Sequence, residues 1–156
     1  MIYMVFVLIR KTGEQKSKME RLESLPDFSL MTVDGKIFDS RDIEKGPVLV
    51  VRFHPDCDHC MYEIPDILGS EIPGIVKALI LISDDHPDSI KGFMSRYRII
   101  TGRSVWILAD TTGVSGDIFG DGIPSCYIYN KRLRLVRSFR GEVKAEVLAR
   151  YLREDE

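Results

Sequence analysis

Apolar residues along this chain cluster in short runs whose spacing alternates between continuous stretches and a 3.6-residue repeat. Val48-Leu49-Val50-Val51, launched by a Lys45-Gly46-Pro47 turn, has the pattern of a strand buried on both faces. Ala78-Leu79-Ile80-Leu81-Ile82 and Val105-Trp106-Ile107-Leu108-Ala109 repeat that pattern. Cys60, Met61, Ile64 and Ile67 share one side of a predicted helix, with Asp56 or Asp58 as its cap and Pro65 as a kink. Ile90, Phe93, Met94 and Tyr97 form a second helical stripe, preceded by capping candidates in Asp84-Asp85-His86-Pro87. Thr111 to Gly122 holds four glycines and predicts a loop with one short helical turn. Ser125–Tyr129 and Leu133–Phe139 predict two strands joined at Asn130-Lys131. Glu142 to Leu152 predicts an amphipathic helix with Val143, Val147, Leu148 and Tyr151 inward.

Before the first buried strand, Pro26 keeps Leu25 extended, and Phe28 and Leu30 share one face of a short strand. Asp34-Gly35 marks a tight turn, so an N-terminal hairpin is expected. Gly13 to Glu23 is polar and predicts a linker or a short exposed helix. Met1 to Arg10 is nearly all apolar, too short for a bilayer span of about 20 residues. It lacks the basic region and small-residue cleavage site of an export signal. An edge strand is the leading expectation there; the remnant of a signal or anchor, or a true N-terminus, are the alternatives. Residues 1–24 are therefore an N-terminal strand or linker extension, and residues 25–156 one domain. Strands alternating with helices predict an α/β fold, a central mixed sheet flanked by helices on both faces.

Length and composition change little in this picture. With 156 residues, 44% hydrophobic and 29% charged, the chain suits one soluble domain. A net charge of -2 recruits neither nucleic acid nor an anionic membrane. Three cysteines are too few for a disulfide scaffold, and two of them are spaced as C-x-x-C.

That pair, Cys57-Asp58-His59-Cys60, falls where a buried strand gives way to a helix. A cysteine attacks a disulfide as its thiolate, and unpaired amides at a helix N-terminus favour that form. The outer sulfur, Cys57, is placed to attack, and Cys60, one turn down, to resolve. Between them Asp58 disfavours the thiolate and His59, when charged, favours it. Glu63 lies one turn beyond Cys60, either to exchange protons with the inner thiol or as a solvated helix carboxylate. His54 is a proton donor or a turn residue, His86 a cap or loop residue, and Cys126 a small core residue on a strand. A zinc site would need Cys57, Cys60, Cys126 and one of His54, His59 or His86 gathered by the fold, since a second C-x-x-C is missing.

Taken together, Pro26-Asp27-Phe28-Ser29-Leu30, Asp34-Gly35-Lys36, Lys45-Gly46-Pro47, the C-x-x-C, Glu63-Ile64-Pro65 and Gly122-Ile123-Pro124-Ser125 resemble the thioredoxin-like superfamily. Within it, the chain is similar to the thiol–disulfide oxidoreductases related to peroxiredoxins and bacterial cytochrome-maturation proteins. The resemblance covers Leu25 to Leu152. It implies a thioredoxin-like fold and exchange of disulfides with protein substrates, without a cofactor or metal. Pro124 would be the cis-proline facing the cysteine pair, binding substrate backbone together with Ile123 and Asp56. It also implies an upstream redox partner and a monomer. An extracytoplasmic home, periplasmic or tethered by an N-terminal membrane anchor in a full-length precursor, fits the resemblance better than the cytoplasm. Asp56 stands where an aromatic is usual, and Val51 where thioredoxins keep a buried acid, which leaves Glu63 or water to handle the Cys60 proton. The Asp-His dipeptide has the histidine of DsbA-type sites without their proline. A peroxidase would need Pro-x-x-x-Thr-x-x-Cys, which Val50 to Cys57 do not supply. A metallochaperone would use C-x-x-x-C with a distant histidine, one residue longer than this spacing.

Overall fold

The computed structural model describes residues 2–154. Seven strands form one mixed sheet: β1 (Ser29–Thr32), β2 (Ile37–Asp39), β3 (Val48–Arg52), β4 (Ala78–Ser83), β5 (Val105–Ala109), β6 (Ser125–Tyr129) and β7 (Leu135–Arg140). Their order across the sheet is β2-β1-β5-β4-β3-β6-β7. The centre, β3, β4 and β5, is parallel, and the pairs outside it are antiparallel. The expected hairpin is β1–β2, with Leu30 opposite Phe38 and Gly35 turning at φ +83.

Period-two alternation sorts the central strands between two cores. Leu49, Val51, Leu79, Leu81, Cys126 and Ile128 face one side, where they meet helices α2 (Asp58–Gly69), α4 (Pro87–Arg96) and α6 (Ala145–Glu154). Val48, Val50, Ile80, Ile82, Tyr127 and Tyr129 face the other, covered by Leu22 of α1 (Ile2–Leu22) and Phe119 of α5 (Val114–Phe119). Each fully buried Ile, Leu or Val contributes about 1.5–3 kcal/mol, so the end of β3 is a rigid base for the turn and helix that it leads into.

The N-terminal expectation is corrected. Residues 2–22 form one continuous α-helix, so the edge strand expected over the apolar run is absent, while of the two readings of Gly13 to Glu23 the exposed helix holds and the linker does not. Periodicity cannot separate helix from strand in a short apolar run. The Lys-, Glu- and Gln-rich stretch after it has high helix propensity and carries the helix through Leu22. The edge of β7 is instead met by residues 23–25, through Leu135 N–H to Glu23 O (2.8 Å) and Leu25 N–H to Leu133 O (2.9 Å). Among the described residues no helix is long and apolar enough to cross a membrane. A four-residue helix, α3 (Ile72–Ile75), was not legible in its Ile-Pro-Gly-Ile sequence.

Asp110 fastens the glycine-rich segment that leads back to the sheet. Its buried carboxylate accepts from Thr112 Oγ1 (3.1 Å), Val114 N (3.1 Å), and Ser115 N and Oγ (2.6 Å each). It caps α5, whose N-cap residue, Gly113, has no side chain to do so. Burial alone would raise this carboxyl, but the Ser115, Thr112 and Val114 bonds together hold it below the ordinary range. Its folded pKa is lowered, so its stabilisation is complete above the unfolded value of about 3.9 and is lost as pH falls through the folded one. Asp110→Ala should cost about 2–4 kcal/mol in urea unfolding at neutral pH, the difference shrinking in acid. An unchanged midpoint at neutral pH would refute this.

Candidate active site

The chain leaves β3 through Phe53-His54-Pro55-Asp56 and turns into α2 at Cys57, where Cys57 N–H donates to His54 O (3.0 Å). The cap is Cys57 itself, not Asp56 or Asp58: its φ and ψ are extended (-83, 118) and its Sγ accepts the Cys60 amide at 3.3 Å. The sulfur thus occupies the position that a serine or aspartate oxygen usually takes. Asp58 opens the first turn of α2 and, like Asp56 and His59, is exposed.

The two sulfurs differ as the helix start predicts. Cys57 is half-buried, whereas Cys60 is 0% exposed. Burial pushes the Cys60 thiol well above its ordinary value, and the Cys57 sulfur and the Glu63 charge push the same way. All three cysteines are free thiols.

Glu63, three residues along α2 from Cys60, is 1% exposed rather than solvated. Its Oε1 accepts from Val143 N (3.0 Å) and Cys126 Sγ (3.4 Å), while Oε2 is buried and has no hydrogen-bond partner among the described residues. Burial raises its pKa; the Val143 and Cys126 bonds oppose the rise, and the Glu142 and Asp66 charges reinforce it.

The Ile123–Pro124 peptide bond is cis, as expected, and Pro124 is buried. The loop before it is tied to the end of β3 by the buried Arg52 guanidinium, which donates to Gly120 O. Ile123 and Cys57 both pack against the core on the α2 side of the sheet.

One connection, between β7 and α6, binds these pieces together, and sequence reasoning did not single it out. Gly141 N–H donates to Pro124 O (2.8 Å). Glu142 Oε2 lies 2.9 Å from His59 Nδ1. The Val143 amide bonds Glu63, and the Ala145 amide bonds Asp66 Oδ2 at 2.8 Å. α6 begins after this connection, at Ala145 rather than at Glu142.

The four-ligand set of Cys57, Cys60, Cys126 and a histidine is not gathered among the described residues. The group that does converge is His54, Asp56 and Asp85, with ligand atoms within 4.8 Å of one another. There His54 Nδ1 accepts the Asp56 N–H (3.2 Å), and Nε2 lies 3.8 Å from Asp85 Oδ2, beyond hydrogen-bond distance.

No family model and no curated protein matches the chain. Solved structures do. A secreted Mycobacterium tuberculosis disulfide oxidoreductase homologous to Escherichia coli DsbE superposes with a TM-score of 0.70 at 19% identity, covering 85% of this chain and 96% of that one. Mycobacterium tuberculosis DsbF gives 0.71 at 20% identity, covering 87% and 97%. A Chlorobium tepidum thiol:disulfide interchange protein of the thioredoxin family gives 0.66 at 23%, covering 86% and 97%. At these identities the likeness establishes the fold, which is thioredoxin-like.

Proposed function

We propose that the protein is a thiol–disulfide oxidoreductase that exchanges disulfides with protein substrates, Cys57 attacking and Cys60 resolving. The observation that carries this reading is the asymmetry of the pair: Cys57 is half-buried at the helix cap, and Cys60 lies fully buried one turn below, joined to it by a 3.3 Å amide-to-sulfur bond. The solved structures sharing the fold include proteins described as thiol:disulfide interchange proteins, which supports the same reading.

In the reducing direction, the Cys57 thiolate attacks one sulfur of a substrate disulfide, and the other substrate sulfur leaves with the bonding pair and takes a proton. Cys60 then attacks the Cys57 sulfur of the mixed disulfide. The Cys57–Cys60 disulfide forms, the second substrate thiol is released, and two electrons have passed to the substrate. A second protein thiol pair restores the dithiol. Ile123 and the cis Pro124 provide an extended edge for substrate backbone, and Asp56 gives that surface an acidic rim. Glu63 receives the Cys60 proton, and Asp58 and His59 set the poise of the pair.

With dithiothreitol as electron source, the protein should accelerate precipitation of the insulin B chain well above the reductant alone. No acceleration, or consumption of hydrogen peroxide outpacing insulin reduction, would sink the proposal.

A further inference from the structure

Glu63 is held at one carboxyl oxygen and left open at the other, and one of its two holders is a thiol with no part in the exchange described above. Cys126 lies within β6, opposite Val51 of β3 and Phe139 of β7, and is fully buried. A cysteine at such a position packs as a small apolar side chain, and valine would fill the place about as well. Only the S–H group gives it a donor, and that donor lies 3.4 Å from Glu63 Oε1. Burial and the adjoining Glu63 charge keep this thiol protonated, so it donates and does not compete as a nucleophile. Oε1 is thereby shared between Cys126 and the Val143 amide, and among the described residues nothing bonds Oε2.

We propose that Cys126 is a positioning residue for proton transfer at the inner cysteine: with the Val143 amide it clamps Glu63 Oε1, so that Oε2 is the oxygen that takes the Cys60 proton. This rests on the exchange function proposed above. In the resolving step the Cys60 S–H proton passes through one intervening water to Oε2 as the Cys60 sulfur bonds the Cys57 sulfur. The bond from Cys57 to the substrate sulfur breaks, and the substrate sulfur leaves with its electron pair.

The groups facing Glu63 come from three elements. Cys60 and Asp66 lie on α2, Cys126 on β6, and Glu142 and the Val143 amide on the connection to α6. Asp66 and Glu142 oppose a negative charge on Glu63, and the two hydrogen bonds favour it. His59 faces Glu142, and Cys57 faces Cys60. Removing the S–H donor therefore makes the carboxylate harder to form, and proton acceptance fails first in acid.

The test is single-turnover oxidation of the reduced protein by glutathione disulfide across pH, in wild type, Cys126→Val and Cys126→Ser. Loss of one net hydrogen bond predicts a Cys126→Val rate about three- to ten-fold lower on the acid limb, converging with wild type on the alkaline plateau. Cys126→Ser, which keeps a donor, should restore the wild-type acid limb. A carbon-13 NMR titration of the Glu63 carboxyl should show it holding its proton to higher pH in Cys126→Val. Cys126→Ala serves in both measurements if valine does not fold. Superimposable profiles for wild type and the apolar variants, or serine behaving as valine does, would overturn the role of Cys126. A wild type that glutathione disulfide does not oxidise at Cys57 and Cys60 would instead overturn the exchange function and this inference with it.

Discussion

Cys57→Ser is expected to reduce insulin turnover to the rate of dithiothreitol alone, whereas Cys60→Ser is expected to accumulate mixed disulfides. The Cys57 sulfur is the one within reach of a protein substrate, since Cys60 has no exposed surface. Serine in its place cannot form the first mixed disulfide, so nothing downstream can begin. In Cys60→Ser the attacking sulfur remains, but the group that would release it is gone, and the adduct persists until external thiol removes it. Intact-protein mass after exposure to glutathione disulfide separates the two: one glutathione adduct on Cys57 in Cys60→Ser, and none in Cys57→Ser. An adduct on Cys60 in Cys57→Ser would reverse the assignment of roles.

Glu63→Gln should slow the resolving step by about 10²-fold, in the range usual for loss of a positioned proton acceptor. Mixed-disulfide formation by Cys57 should change only a few-fold, because Glu63 contacts Cys126 and the Val143 amide rather than the Cys57 sulfur. The same substitution gives an opposite signature in stability. The folded pKa of Glu63 is raised, chiefly by burial, so wild type loses stability as pH rises through that value. Glutamine carries no such loss, and the variant should gain on wild type in urea unfolding as pH increases. Slower resolution together with a relative gain at high pH distinguishes a proton acceptor from a packing residue. An unaltered resolving rate would remove Glu63 from the mechanism.

The central strands were legible because burial on both faces leaves continuous apolar runs, and Val48–Val51 and Ala78–Ile82 have no other economical reading. The cysteine pair was legible for the same reason, since its strand and its helical stripe bracket it in sequence. The start of the N-terminal helix was not, because nine apolar residues satisfy both periods and the helical evidence lay in the polar residues after them. The environment of Glu63 was illegible in principle. Its partners lie 63 and 80 residues away, and no local pattern in Cys126 or Val143 announces a shared carboxyl oxygen. The His59–Glu142 contact spans 83 residues and is equally invisible, although each residue is of an ordinary exposed type.

The central claim, that Cys57 and Cys60 form one redox couple, is tested most directly by titrating the protein against glutathione or dithiothreitol buffers and mapping the alkylated cysteines. Cys57 and Cys60 should exchange together as a two-electron couple, with Cys126 remaining a free thiol throughout. Asp58 favours the reducing side, and Glu142, 2.9 Å from His59 Nδ1, sets a second carboxylate beside the dipeptide. The midpoint should therefore lie between the values of about -120 mV for DsbA and about -270 mV for thioredoxin, nearer the latter. Cysteines 57 and 60 that oxidise independently of each other, a disulfide involving Cys126, or a midpoint as oxidising as that of DsbA would contradict the account.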